Sequence, residues 1–295
     1  MKVIKPRPYD PAMRVSTTAT EAVSAWSSST TYADGDQTHA DGSIWESLAA
    51  SNTANAPATS PSWWIKLGPD NRSAMFDSQV STQTVQASGP LEVVLDTGAI
   101  TALGMVGISG GQVDVEMTDG ASGPVVYQRS ISLDASVVTD WFDYFFAEFD
   151  FSTEVVLTDI PPYTDSRVTV SIDGGSAVGC GALVFGSVHD LGVTEHGATA
   201  GIVDYSRKDT DEFGNTTFVQ RAFARRVSAR MLIPNSRLRA VQRTLSGLRA
   251  TPSMWIGTER SGYDPLIVFG WYRDFSIDVK YPTHSYVSLE IEGLA

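Results

Sequence analysis

The stretch Ala102-Leu103-Gly104-Met105-Val106-Gly107-Ile108-Ser109-Gly110-Gly111-Gln112-Val113-Asp114-Val115-Glu116-Met117-Thr118-Asp119-Gly120 decides the fold class. Its first part, Ala102 to Ile108, is a nearly continuous apolar run, which reads as a strand buried on both faces. Its second part alternates strictly. Val113, Val115 and Met117 are apolar, while Asp114 and Glu116 are charged. Side chains of a strand point to opposite faces in turn, so this is a strand with one dry face and one wet one. Asp119-Gly120 then reads as a hairpin turn into Val125-Val126-Tyr127.

Working outward, the same grammar continues. Leu91-Glu92-Val93-Val94-Leu95 lies before it, and Val155-Val156-Leu157, Val168-Thr169-Val170-Ser171-Ile172 and Ala182-Leu183-Val184-Phe185 lie after it. Short strands at this spacing, parted by Gly and Asp turns, predict an antiparallel β-sandwich or jelly roll over residues 71–190. Residues 191–295 change character. A long strand carries Phe223, Val227, Met231 and Ile233 on one parity. Asn235-Ser236 is the expected helix cap, and Leu238, Val241, Leu245 and Leu248 follow on one helical face. Trp255-Ile256-Gly257, Ile267 to Gly270 and Val287 to Ile291 read as strands, so this part is an α+β docking module around one amphipathic helix. Residues 21–70 are small, polar and turn-rich, and form a separate small β module in this reading. Residues 1–20 are expected as an extended arm, because Pro6, Pro8 and Pro11 remove backbone donors and disfavour a helix or a central strand. The expected whole is mainly β.

The chain has 295 residues and a formal net charge of −13. Its single cysteine, Cys180, excludes an intrachain disulfide and cysteine-only metal sites. No apolar run approaches the ~18 residues of a membrane helix, so membrane insertion is not expected. The start, MKVIKPRPYD, lacks the apolar region of a secretory signal. Overall acidity argues against nucleic acid as a partner, because phosphate contacts dominate that affinity. The charge is uneven, however. Residues 207–249 hold ten basic residues, including Arg237 and Arg249, against Asp209, Asp211 and Glu212. That segment stands at +7 and leaves −20 for the rest. Nine of the ten are Arg, which suits interfacial ion pairs. Arg207, Arg221, Arg225, Arg226, Arg230, Arg239 and Arg243 are therefore the candidate assembly interface, with a basic face meeting an acidic one. The competing readings are contact with DNA and, more plainly, a set of solvated strand and helix faces.

Several motifs were tested for chemistry. Gly107 to Gly111 matches G-x-S-x-G, but a nucleophile elbow needs a helix after the serine, and here a strand follows. Asp209-Thr210-Asp211-Glu212-Phe213-Gly214 begins like a calcium loop, yet its fifth position is Phe213 and its twelfth Gln220. His189 and His196 are too far apart for a metal-ligand pattern, with Asp190 and Glu195 near them. The aromatic stretch Trp141 to Asp150 carries Asp143, Glu148 and Asp150, which would serve a polysaccharide depolymerase as a carboxylate pair. The simpler reading is an aromatic strand or loop filling the sandwich core with its acids in water. No catalytic residue, cofactor or metal is expected, and an enzyme is not.

Trp26, Tyr32, Trp45, Trp63 and Trp64 are the strongest constellation. A short segment has little core, so some of these rings are expected at the surface, where planar rings stack on sugar faces. The competing reading makes them the core of the small module. The stretch Trp26 to Gly68 resembles small carbohydrate-binding modules of the chitin-binding type. The resemblance rests on Trp26, Tyr32-Ala33-Asp34-Gly35-Asp36, Gly42-Ser43-Ile44-Trp45, Asn52, Pro57 and the closing Trp63 or Trp64. Gln37-Thr38-His39 is polar where those modules run apolar.

Nearly the whole chain also resembles a family of bacteriophage virion proteins that carry this module. The carrying residues are Leu67 to Asp77, Asp159-Ile160-Pro161-Pro162-Tyr163, Asp204 to Lys208 with Phe213-Gly214-Asn215, and the close Leu289 to Leu294. This resemblance implies a structural tail or tail-adaptor component, assembled in several copies in the bacterial host cytoplasm and located in the virion tail. Its partners would be other phage tail proteins and further copies of itself, with host surface polysaccharide as an additional contact. A free carbohydrate-binding protein is the alternative, and a depolymerase the third reading.

Overall fold

The computed structural model describes residues 1–136, 140–146, 150–210, 212–260 and 262–294. The fold is mainly β, with antiparallel sheets, one of them curled into a half-barrel. That sheet has ten strands. In spatial order they are Glu154–Leu157, Ala102–Val106, Ala182–Asp190, Lys2–Pro6, Ser253–Ile256, Ile267–Asp278, His284–Gly293 and Phe223–Pro234. The last of these carries both Val193–Thr194 and Thr199–Asp204 along its outer side. A second sheet has five strands in the order Val125–Ser132, Gln112–Asp119, Ser166–Asp173, Leu91–Asp96 and Arg14–Thr17.

The alternation read at Gln112–Asp119 is what places the second sheet. Val113, Val115 and Met117 are buried against Leu103, Met105, Leu183 and Phe185 of the long sheet. Asp114 and Glu116 face outward on the partly exposed side. The uninterrupted run Ala102–Val106 is buried throughout, as a strand covered on both faces must be. Leu103 and Met105 enter the sandwich core, while Ala102 and Val106 join Ile4, Met254, Ile256 and Phe269 on the curled face. Gly104 lies on that crowded face, where a Cβ would come 2.8 Å from Met254 Cε and 3.2 Å from its Cγ. Burial also pushes the Cys180 thiol up to about 12, so it packs as a neutral side chain.

The amphipathic helix Leu238–Gly247 covers the other half of the long sheet. Val241, Leu245 and Leu248 pack on Val227, Met231, Trp255, Val287 and Leu289. The expected cap is corrected: Asn235 and Ser236 lie in a 3-10 turn, and no side chain caps the helix. Asn235 instead donates from Nδ2 to the carbonyls of Tyr281 and Pro282 and accepts from Ser285. It ties the helix entrance to the neighbouring hairpin.

The expected proline-rich arm is also corrected. Lys2–Pro6 is a central strand of the long sheet, between Ala182–Asp190 and Ser253–Ile256, with Val3 and Ile4 fully buried. A proline removes only its own donor. Lys2 to Lys5 precede Pro6 and keep theirs, and Pro6 ends the strand. Pro11 opens a 3-10 turn capped by Asp10, and Arg14–Thr17 then joins the second sheet. Residues 1–20 therefore stitch the two sheets together. Burial of Val3 and Ile4 contributes about 1.5–3 kcal/mol each. The expected boundary at residue 190 separates no sheets, because strands from both sides of it share the long sheet through this N-terminal strand.

Candidate interaction surfaces

The small module is built on the antiparallel strands Gln37–Ala40, Ser43–Ser47 and Trp64–Pro69, with Thr31–Tyr32 paired to Asn52–Thr53 beside them. The polar strand Gln37–Ala40 forms nonetheless. Thr38 is buried and donates from its hydroxyl to the Ser24 carbonyl. Tyr32 and Trp64 are the module's core: both are buried and meet edge to face, with centroids 5.0 Å apart. Trp64 Nε1 donates to the Asn55 carbonyl, and the Tyr32 hydroxyl accepts from the Ser27 N–H. Asn52, fully buried, donates to Ser47 and to the Trp63 carbonyl.

Of the five candidate sugar-binding rings, then, Tyr32 and Trp64 turn inward and offer no face to a ligand. Trp26, Trp45 and Trp63 stay partly exposed. Trp45 Nε1 is held by the Ala40 carbonyl, whereas Trp26 Nε1 is buried without a hydrogen-bond partner.

The segment after the module latches it to the body. Glu21 accepts from the backbone N–H of Asn71 and of Arg72, and Asn71 exchanges hydrogen bonds with Val85. Arg14 donates to the Arg72 carbonyl and to Ser73 Oγ, and Tyr9 stacks on Phe76 at 3.9 Å. Residues 69–77 are thus a docking segment between module and sandwich.

The candidate arginines divide. Arg207 pairs with Asp209, Arg225 with Glu154, and Arg226 with Glu290. Arg230 lies between Glu195 and Asp278 and over the Tyr286 ring, 4.0 Å from its centroid. Arg237, outside the candidate set, pairs with Asp190. Much of the +7 is thereby met within the chain. Arg221, Arg239 and Arg243 are exposed and make no ion pair among the described residues.

The pairing of Arg225 with Glu154 brings the two ends of the long sheet together. Glu154 belongs to its first strand and Arg225 to the strand beside its far edge. The Glu154 side chain is largely covered, and burial raises its carboxyl above the usual 4.5 despite the pull of Arg225. A cleft of about 540 Å³ opens here, between Phe151 to Glu154 on one side and Ala200 to Ile202 with Phe223 on the other.

Two exposed features carry apolar side chains, and the second borders the cleft. One is the short helix Trp141–Phe146, whose five aromatic side chains are 65–78% exposed. The other is the hairpin of Arg207–Thr210 and Thr216–Val219, with Phe218 exposed on it and Ile202 and Phe223 exposed at its root. The reading of this stretch as core filling is overturned for the rings of Trp141–Phe146, while residues 147–149 lie outside the described residues. No sequence signal stood against it: Trp141 and Phe145, and Phe142 and Phe146, recur four apart, as the rings of a buried helix face do.

Ser109 sits in a bridge to Gly179 and leads into a strand, not a helix. Among the described residues no group of three His, Cys, Asp or Glu could hold a metal ion. Asp150 lines the cleft with Glu154 and Asp264, while Glu148, Asp211 and the Asp143 side chain lie outside the described residues. No described helix is long and apolar enough to cross a membrane. No family model matches this chain, and no curated protein matches it.

Proposed function

We propose that the chain is a structural component of a bacteriophage tail, assembled in several copies, whose small module contacts host surface glycan. One observation carries the reading of assembly: five aromatic side chains stand exposed on a single six-residue helix. Apolar patches of this size on a protein surface mark places that a partner covers. The tail assignment itself rests on the resemblance of Leu67 to Asp77, Asp204 to Lys208 and Leu289 to Leu294 to phage virion proteins. The test is to probe purified particles for the chain and to measure its mass in solution. A particle-bound subunit or a stable oligomer is expected. A strictly monomeric chain absent from purified particles overturns the reading.

A second reading, a free carbohydrate-binding protein, is favoured by the partial exposure of Trp26, Trp45 and Trp63. Retention on bacterial surface polysaccharide, lost in Trp45→Ala and Trp63→Ala by a chain not found in particles, supports it.

A further inference from the structure

We propose that the aromatic helix Trp141–Phe146 of one copy docks on the hairpin of a second copy, against Ile202, Phe218 and Phe223, with Lys208 and Arg221 at its margin. The inference deepens the multi-copy reading and rests on it.

Four observations converge. The first is area. Aromatic side chains carry about 150–250 Å² each, so five of them mostly exposed offer on the order of 500–800 Å². That approaches the ~800 Å² per partner of a standard interface. The second is charge. Asp140 to Asp150 contains four acidic residues and no basic one. The hairpin side carries Lys208 and Arg221, both exposed and without an acidic partner among the described residues, while of the hairpin's own acids Asp209 is held by Arg207, and Asp211 and Glu212 fall in the connection 211–215. Opposite charge at the rim steers and orients association. The same acidity sets the helix against an anionic lipid surface.

The third is the edge strand. Among the described residues Thr199–Asp204 pairs on one side only, is exposed along nearly its whole length, and carries no lysine or proline. Edges of this kind accept another chain unless they are blunted. The fourth is placement. Ala135, Asp150 and Phe151 at the foot of the aromatic segment line the same cleft as Ile202 and Phe223 at the root of the hairpin. The foot of the donor segment and the root of the acceptor hairpin therefore border one cleft. A two-fold axis there lets each copy give its helix and receive its partner's, the reciprocal arrangement of an isologous pair.

The test uses the full chain and light scattering after size exclusion. Wild type is expected to associate. Trp141→Ser with Phe145→Ser, and separately Phe218→Ser with Lys208→Glu, each weaken association by roughly tenfold or more. Unchanged melting curves keep folding out of the comparison. The decisive step is mixing the two variants. One retains an intact hairpin and the other an intact helix, so the mixture recovers part of the association. Loss in the helix variant with no recovery on mixing indicates helix-to-helix contact and overturns the proposal. A monomeric wild type also overturns it, as does co-sedimentation with phosphatidylcholine vesicles that the helix variant loses. Particle content is scored separately. A particle-bound chain that is monomeric when purified removes this interface and leaves the tail reading standing. A dimer absent from particles does the reverse.

Discussion

Two aromatic clusters in this chain have opposite fates. Tyr32 and Trp64 close the core of the small module, where the indole N–H of Trp64 and the hydroxyl of Tyr32 each find a backbone partner. Trp141 to Phe146 stand in the open, touching chiefly one another, as in the contacts of Phe142 with Phe146 and of Trp141 with Phe145. Both segments are short, and both are rich in rings. What separates them is the partner surface. The small module supplies strands on which its rings close, whereas the acidic helix of Trp141–Phe146 lies on an excursion between two sandwich strands that are already packed.

Substitutions break that contrast in order of size. Trp64→Ala is expected to destabilise by about 3–5 kcal/mol, the cost of emptying a large buried ring site, seen as a lowered urea midpoint. An unchanged midpoint contradicts its role as core. Tyr32→Phe keeps the ring and removes the acceptor for the Ser27 N–H, and is expected to cost about 1–2 kcal/mol. Phe142→Ser is expected to stay within ~0.5 kcal/mol in the monomer, since no burial is lost. A loss as large as that of Trp64→Ala reverses the comparison.

The smallest effect is at the cleft. Burial holds the folded pKa of Glu154 above its ordinary 4.5. Its favourable contribution is then fully present below that value and fades as pH rises through the folded pKa. Wild type is expected to lose stability relative to Glu154→Gln between acid and neutral pH, compared by urea midpoints at both. A growing wild-type advantage at neutral pH contradicts the direction.

The alternating strands and the helix were legible because a short local pattern determines them. Val113, Val115 and Met117 could face only one way in a strand, and Leu238, Val241, Leu245 and Leu248 only one way in a helix. The prolines misled because their rule is local too: it applies to Pro6 itself and not to Val3 and Ile4, which precede it. The arginines were legible as a basic segment but not as a surface. Arg225 meets Glu154, 71 positions away, and no feature of either neighbourhood announces it.

The sequence by itself determined the mainly β class, the dry and wet faces of its strands, and the helix stripe, because side-chain periodicity dictates which face can lose water. Only the tertiary structure decided that the N-terminal strand joins sandwich and C-terminal strands in one curled sheet. It alone also decided which arginines are neutralised and which aromatic rings stay in water. Those outcomes depend on contacts between distant residues, and an unpaired ring and a packed one are spelled with the same letters.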